Sequence, residues 1–182
     1  MLDFYYSTMQ GGKSTALLQR RYNLTSIGQR VLVMTSALDD RYGVGKVTSR
    51  MGPQCEAVLF NKETLFDPAL GLDQIDELLI DESQFLTRAQ VKQIHQRLCV
   101  RMGLRVSCYG LRTDFKGDAF EGASALLALA DSLHEISTLC RCGEKATMNQ
   151  RIGLNGAPER TGEVVEIGGD VRYRPVCPKC FY

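Results

Sequence analysis

The order of apolar and polar residues along the 182-residue chain predicts alternating strands and helices. Residues 2–6 are a β-prone run that enters a glycine turn, and apolar positions then recur at helical spacing from Ser14 until Gly28. Residues 30–35 form a second short and mostly apolar run. Strand, turn, helix and strand in this order indicate a βαβ unit, which is typical of a parallel α/β sheet.

The middle of the chain continues the pattern with further strands and one well-marked helix. Strands are predicted at residues 57–60, 78–80 and 106–109, a helix at 123–130, and the last sheet strand at 133–139. Thr87 and Gln90 have the spacing of a capping box at the start of a helix. The apolar stripe of that helix comprises Val91, Ile94, Leu98 and Met102.

Two segments interrupt the alternation. Residues 38–52 are rich in Asp, Arg and Gly, which is typical either of a mobile loop near a site or of an ordinary solvated loop. After Leu139 the helical spacing ends and Gly, Pro and Arg become frequent. We therefore expect a domain boundary there, with residues 1–139 forming an α/β domain and residues 140–182 a small appended domain.

Composition narrows the classes of function. The formal net charge is +1, which lacks the strong positive field of a general nucleic-acid or membrane-surface binder. We accordingly expect neither a nucleic-acid nor a membrane partner. Seven cysteines without a visible secretory signal indicate reduced thiols in a cytoplasmic protein, where they bind metal or fill the core.

The turn after the first strand matches a phosphate-binding pattern. It resembles G-x-x-x-x-G-K-[ST], with a serine in place of the first glycine, and it lies between a strand and a helix as that motif requires. The alternative is a glycine turn beside a surface lysine. In the functional interpretation the backbone N–H groups of this loop surround phosphate oxygens. The loop consists of Ser7, Thr8, Met9, Gln10, Gly11, Gly12, Lys13 and Ser14.

A second motif follows the apolar run at residues 78–80. Asp81 at the end of that strand is placed to hold Mg²⁺, and Glu82 to accept a proton from the group that attacks a terminal phosphate. Two exposed acids at a strand end are the simpler alternative. Because this motif and the phosphate loop occur in the expected order, we favour a nucleotide-dependent phosphotransferase.

Four of the cysteines form two closely spaced pairs near the C-terminus. Their spacing, C-x-C followed by C-x-x-C, indicates a tetrahedral structural zinc site, although reduced core cysteines are an alternative. Cys55, Cys99 and Cys108 are expected to be core residues. The predicted zinc ligands are Cys140, Cys142, Cys177 and Cys180.

Taken in order, these motifs resemble the type II thymidine kinases, and most closely the bacterial branch of that family. The resemblance covers nearly the whole chain and includes residues 39–41, 109–115 and 167–169. It implies a P-loop (RecA-like) parallel-sheet domain followed by a small β-rich zinc-binding domain, and a homotetramer. The activity it implies is transfer of the γ-phosphate of ATP, with Mg²⁺, to the 5′-hydroxyl of thymidine.

The resemblance also implies roles for individual residues. Glu82 is expected to be the catalytic base. The nucleotide is expected to contact residues 7–14 together with Asp81, Glu82, Ser83 and Gln84. Thymidine is expected to lie beneath a lasso-like loop of the zinc-binding domain. Its expected contacts, in chain order, are Met9, Phe85, Leu111, Phe115, Phe120, Val164, Val165, Glu166, Ile167, Gly168 and Tyr173.

Two other classes of function remain to be weighed against a nucleoside kinase. A nucleic-acid-dependent ATPase would explain the acidic motif and the zinc site. However, such motors need a second domain to close the ATP site, and the near-neutral charge does not favour a groove that follows phosphates. A non-catalytic nucleotide-binding module would not require the intact set of Lys13, Ser14, Asp81 and Glu82.

Overall fold

The computed structural model describes residues 1–38, 45–67, 70–153, 155–162 and 172–182. The first elements are β1 (Leu2–Ser7), α1 (Lys13–Ser26), β2 (Val31–Ser36), β3 (Lys46–Thr48), β4 (Gln54–Glu56), β5 (Val58–Phe60) and β6 (Glu77–Ile80). They are followed by α2 (Arg88–Gln93), β7 (Arg105–Leu111), α3 (Glu121–Leu129) and β8 (Ser132–Glu135). The C-terminal elements are β9 (Thr138–Leu139), β10 (Lys145–Ala146), β11 (Met148–Ile152), β12 (Pro158–Glu159), β13 (Tyr173–Val176) and α4 (Pro178–Phe181).

Six strands form a parallel sheet in the order β5-β2-β6-β7-β1-β8. Strand β1 pairs with β7 over six residues, from Leu2 opposite Val106 to Ser7 opposite Leu111. Because all six strands run the same way, their carboxyl ends lie at one edge of the sheet. Ligands of open α/β sheets bind at that edge, so the segments after β1, β6 and β7 are the ones that can form a site.

Helices cover both faces of the sheet, as a parallel sheet requires. Leu17 and Leu18 of α1 belong to a buried cluster with Val33, Leu79 and Tyr109. Helix α2, its helical continuation and α3 cover the opposite face. Their apolar side chains form a larger cluster with apolar side chains from β1, β2, β6 and β7. This arrangement confirms the predicted α/β parallel-sheet class.

The helix predicted from Thr87 begins as expected and then changes its geometry. The Thr87 side chain accepts a hydrogen bond from Gln90 N, and the Gln90 side chain accepts one from Thr87 N, which confirms the capping box. From Ile94 to Arg101 the chain continues as a π-helix. Val91, Ile94 and Leu98 of the predicted stripe are all buried, whereas Met102 follows the end of the π-helix. Met102 is accordingly 37 % exposed and not a core residue.

The segment predicted as a polar loop at residues 38–52 is partly a strand. Residues 39–44, which include Asp39, Asp40 and Arg41, lie outside the described residues. Beyond them, β3 pairs antiparallel with β4, and Val47 of β3 is buried. The prediction of a loop was therefore wrong for residues 46–48, because three residues with a single apolar position carry no readable alternation.

The last strand of the large sheet is shorter than predicted. The strand expected over residues 133–139 ends at Glu135, after four pairs with β1. Thr138 and Leu139 leave the sheet as β9 and pair with β10 instead. Ile136 N donates to Tyr6 O, and Ser7 Oγ donates to Ile136 O at 2.5 Å. The second bond uses a side chain, so the regular ladder ends there.

The C-terminal residues form a small β-rich lobe. Its three-stranded sheet has the order β12-β11-β13, and the β9–β10 hairpin lies beside β13. Its apolar cluster is small and includes Cys140, Cys177 and Phe181. Among the described residues, no helix combines the length and the apolar character needed to cross a membrane.

Candidate active site

The phosphate-type loop connects β1 to α1 in a tight conformation. Gln10 and Gly12 both have positive φ, at 62° and 81°. Gly11 donates its N–H to Thr8 O at 3.3 Å, and a Cβ at Gly11 would overlap the Ser7 side chain. Glycine at position 11 is therefore required by the close approach of the loop to itself.

Lys13 lies inside this loop and not on the surface. Its side chain is buried, and Nζ donates to Thr8 O at 2.8 Å. A buried ammonium group surrounded by loop backbone is suited to binding an anion. The simpler alternative of a surface lysine beside a glycine turn does not fit this burial.

Ser7 replaces the first glycine of the pattern without disturbing the loop. Its hydroxyl is bonded to Ile136 O beyond the neighbouring strand β8. The φ angle of Ser7 is not positive. The position therefore needs a small side chain but not the conformational freedom of glycine.

Asp81 follows β6 and meets the phosphate loop. It is 4 % exposed, and its Oδ2 accepts a hydrogen bond from Ser14 Oγ at 2.8 Å. Burial, followed by the charge of Glu82, raises the pKa of Asp81 to about 7. A hydroxyl beside a carboxylate is a set of hard oxygen ligands, which Mg²⁺ prefers. These two residues therefore fit a magnesium ion.

Glu82 lines the same cavity as the phosphate loop. That cavity has a volume of about 210 Å³ and is also lined by Lys13, Ser14 and Leu111. Glu82 has a φ of 51°, a left-handed conformation that non-glycine residues rarely adopt. The Gln84 side chain donates to Glu82 Oε2 at 2.5 Å. Strained backbone of this kind is concentrated at functional sites, and here it accompanies a carboxylate at the cavity.

Ser83 and Gln84 connect the acidic motif to β7. Ser83 Oγ donates to Tyr109 O at 2.9 Å, and Gln84 Oε1 accepts from Leu111 N at 3.1 Å. A Cβ at Gly110 would contact both side chains at 2.7 and 2.9 Å, so glycine is needed there. Both predicted nucleotide contacts are thus buried and bonded to backbone of β7.

The predicted thymidine contacts form two aromatic pairs. Phe85 and Phe120 meet edge to face with their ring centres 5.8 Å apart. Phe115 and Tyr173 do the same at 6.4 Å. Val164, Val165, Glu166, Ile167 and Gly168, which form the predicted lasso, lie outside the described residues.

The four C-terminal cysteines come together as their spacing predicts. Their sulfur atoms all lie within 4.8 Å of one another, and the Cys142 and Cys177 sulfurs are 3.6 Å apart. Zinc–sulfur bonds of about 2.3 Å place tetrahedral ligands roughly 3.8 Å apart. Backbone N–H groups of Cys142 and Cys177 lower the pKa of Cys140 to about 6, whereas hydrogen bonds with the neighbouring thiols raise the pKa of Cys180 to about 12. The cluster therefore fits a zinc ion.

Comparisons with known proteins agree with this geometry. The family model described as thymidine kinase matches residues 1–181. The chain belongs to the thymidine kinase family. A thymidine kinase of Salmonella choleraesuis is 47% identical over 182 residues, covering 98% of this chain and 88% of the relative. One from Chromobacterium violaceum is 48% identical over 183 residues, covering 100% and 97%.

A thymidine kinase of Rhodopirellula baltica is 48% identical, covering 97% of this chain and 85% of the relative. Among solved structures, one of Pif1 helicases unwinding forked DNA aligns with a TM-score of 0.42 at 16% identity. It covers 73% of this chain and 38% of that chain. This likeness is too weak to carry an argument about either fold or function.

Two residues of this thymidine kinase family member that the sequence did not single out lie at the site. Asn149 of β11 is buried, and its Oδ1 accepts a hydrogen bond from Met9 N at 2.7 Å while its Nδ2 donates to Thr113 O at 3.0 Å. Arg151, also on β11, places its guanidinium carbon 3.8 Å from the centre of the Phe115 ring. Neither residue belongs to a recognisable motif, because each acts through contacts distant in sequence.

We expect Asn149→Ala to raise the KM for ATP at least fivefold. The substitution leaves Met9 N–H without its acceptor at the phosphate loop, and an unsatisfied buried donor costs about 1–3 kcal/mol. Steady-state KM values for ATP and thymidine, measured with the melting temperature, test this. Gln150→Ala, on the same strand as Asn149, is the matched control, because the Gln150 side chain donates to Cys180 O in α4 and not to the phosphate loop. A lower melting temperature with an unchanged KM for ATP would contradict the positioning role.

Proposed function

We propose that this chain transfers the γ-phosphoryl group of ATP to the 5′-hydroxyl of thymidine, giving dTMP. The observation that carries the proposal is the meeting of two segments at one sheet edge. The phosphate loop after β1 and Glu82 after β6 line a single cavity, and Ser14 bonds directly to Asp81. A phosphate-binding loop and a base are thus within reach of one reacting group.

In this proposal the loop at residues 7–14 binds the phosphates of ATP. Backbone N–H groups at the start of α1 and the Lys13 ammonium group compensate the negative charge of the phosphate chain. Ser14 and Asp81 would hold Mg²⁺. Such an ion would supply positive charge that compensates the phosphate groups. Ser83 and Gln84 bond to the backbone of β7 and so fix the position of the acidic motif. Their proposed role in nucleotide binding is therefore indirect.

Glu82 is the proposed catalytic base. It accepts the proton of the 5′-hydroxyl as that oxygen bonds to the γ-phosphorus and the bond between that phosphorus and ADP breaks. The Gln84 amide bonded to Oε2 orients the carboxylate. Base assistance of this kind contributes about 10²–10⁴ in rate.

The two aromatic pairs are the proposed walls of the thymidine pocket. Phe115 contacts both the Tyr173 ring and the Arg151 guanidinium, and these contacts restrain its ring. Met9 and Leu111 line the nucleotide cavity next to these walls. We propose that residues 164–168, the predicted lasso, contribute to thymidine binding. Apolar walls of this kind accept the 5-methyl group of thymine.

Residues 1–139 are proposed to be the kinase domain and residues 140–182 the zinc-binding domain with the substrate lasso. The short β9–β10 hairpin then lies at the boundary. We propose zinc as the structural ion of the four-cysteine cluster and a homotetramer as the assembled form. Reduced thiols of this kind support a cytoplasmic location.

A phosphate-transfer assay across the common nucleosides, with ATP and Mg²⁺, tests the function. We expect kcat/KM for thymidine to exceed that for deoxyuridine by about 10–200-fold, because one methyl group contributes roughly 1–3 kcal/mol. Deoxycytidine should be a poorer substrate, since its donor and acceptor pattern leaves buried groups unpaired. ATP hydrolysis that depends on nucleic acid, without nucleoside phosphorylation, would contradict the proposal.

We expect Lys13→Ala to weaken ATP binding at least tenfold while thymidine binding changes less than about threefold. A hydrogen bond to a charged group contributes about 1.5–3 kcal/mol. The Lys13 ammonium group donates to the backbone of the phosphate loop, where the phosphates of ATP are proposed to bind. Calorimetric titration with each ligand measures both affinities. Lys92→Ala, an exposed position on α2, is the control. Equal losses for both ligands would indicate misfolding and contradict the assigned role.

A further inference from the structure

A second cavity lies between the phosphate loop and the C-terminal lobe. Its volume is about 460 Å³, within the range of small-molecule sites. Gln10 and Arg50 line both this cavity and the nucleotide cavity, so the two spaces are neighbours. The Gln10 side chain also donates to Tyr173 O at 3.0 Å, which joins the loop to β13 beside the opening.

Three arginines from separate parts of the fold line this second cavity. Arg50 follows β3, Arg141 lies between the first two clustered cysteines, and Arg174 belongs to β13. Among the described residues that line the cavity, none is acidic. Within the described ranges, the side chains of Arg141 and Arg174 form no ion pair and no hydrogen bond. The positive charges of Arg141 and Arg174 are therefore not compensated by the described residues that line the cavity.

Two other arginines close to β13 show how this chain pairs arginines when their role is structural. Arg172 and Arg151 both bond to Glu159, so their charges are compensated inside the lobe. The side chain of Arg174, two residues from Arg172, forms no ion pair with an acidic residue in the part of the chain that the structure describes. This contrast points to a ligand for Arg174 that comes from outside the chain.

We propose that this arginine-lined cavity binds a phosphate-bearing anion at a second site beside the nucleotide cavity, with Gln10 of the phosphate loop between the two. Guanidinium groups form paired hydrogen bonds with phosphate oxygens. Leu139 and Tyr173 add an apolar side to the cavity. The phosphate chain can be free, as in an inorganic polyphosphate, or carried by a nucleotide whose base contacts that apolar side.

The number of bound tripolyphosphate ions per chain tests this site in the zinc-loaded protein. Calorimetry is expected to find two ions in the unmodified protein. One is expected in Lys13→Ala, one in the double variant Arg141→Gln/Arg174→Gln, and none when all three changes are combined. Arg101→Gln, at an exposed position at the end of the π-helix, is the control, and it should still bind two tripolyphosphate ions. The zinc content after titration is expected to be unchanged in every variant.

The outcomes separate this proposal from the proposed kinase function. If Lys13→Ala alone abolishes all binding, or if the double arginine variant still binds as the unmodified protein does, the second site is overturned. If Arg141→Gln/Arg174→Gln abolishes all tripolyphosphate binding and Lys13→Ala has no effect, the second site is supported. The same result contradicts phosphate binding by the phosphate loop. The double variant is expected to keep kcat for thymidine within twofold, because neither arginine is assigned to the reaction.

A second arm distinguishes the two sources of the phosphate chain. Titrating Lys13→Ala with tripolyphosphate and then with CTP compares the same chain length with and without a nucleoside. Binding of CTP at least fivefold tighter identifies a nucleotide as the ligand, and equal or weaker binding identifies the free anion. Loss of both in the triple variant is expected in either case, and its failure would overturn the site.

Discussion

Replacing Glu82 by glutamine is expected to lower kcat by about 10²–10⁴-fold, the range of base catalysis. Glutamine keeps the size of the side chain but cannot accept the proton of the nucleoside hydroxyl. The left-handed backbone at position 82 and the shape of the cavity should be retained. Binding constants for ATP and thymidine are therefore expected to change less than about threefold. Single-turnover kinetics with both ligands saturating measure the chemical step.

The control for this experiment removes a carboxylate without touching the site. Glu63 lies in an exposed turn, so Glu63→Gln changes the net charge by the same amount. Its kcat should equal that of the unmodified protein. A Glu82→Gln variant that retains more than a tenth of normal kcat would exclude Glu82 as the base.

Replacing Cys177 by serine is expected to remove zinc and abolish thymidine binding. Structural zinc contributes about 10–16 kcal/mol of apparent folding free energy in small zinc domains, and the apolar cluster of this lobe is small. Loss of the lobe also removes two contacts to the phosphate loop, at Met9 N and at the Gln10 side chain. We therefore expect weaker ATP binding as well. Metal analysis and calorimetry measure these effects.

Cys55→Ser is the matched control, because Cys55 is a cysteine outside the cluster, on β4. That variant should retain one zinc per chain and near-normal affinity for thymidine. Limited proteolysis should cut residues 140–182 in Cys177→Ser but not in Cys55→Ser. Fully active protein that contains less than a tenth of an equivalent of zinc would contradict a structural role for the metal.

Much of the α/β domain could be predicted because its signals are local. The capping box at Thr87 and the glycine at position 28, with a φ of 82°, act within one turn of their helices. The spacing of the phosphate loop and of the cysteine pairs is likewise a property of short segments. These features required no knowledge of which strands are neighbours.

The errors occur where the choice of a strand partner decides the structure, even though that partner is close in sequence. The strand predicted over residues 133–139 is divided because Thr138 and Leu139 pair with β10 and not with β1. The three-residue strand β3 forms only because β4 lies beside it. In both places the residues have no preference strong enough to reveal the partner.

The amino-acid order by itself determined the succession of strands and helices, the phosphate loop, the acidic motif and the four clustered cysteines, because each depends on neighbours in sequence. The tertiary structure decided that β11 supports the site. Asn149 bonds to Met9 across 140 positions of chain, and Arg151 covers Phe115. It also brought three arginines to one cavity. Contacts of this range arise only after the C-terminal lobe has packed against the sheet, since nothing local marks them.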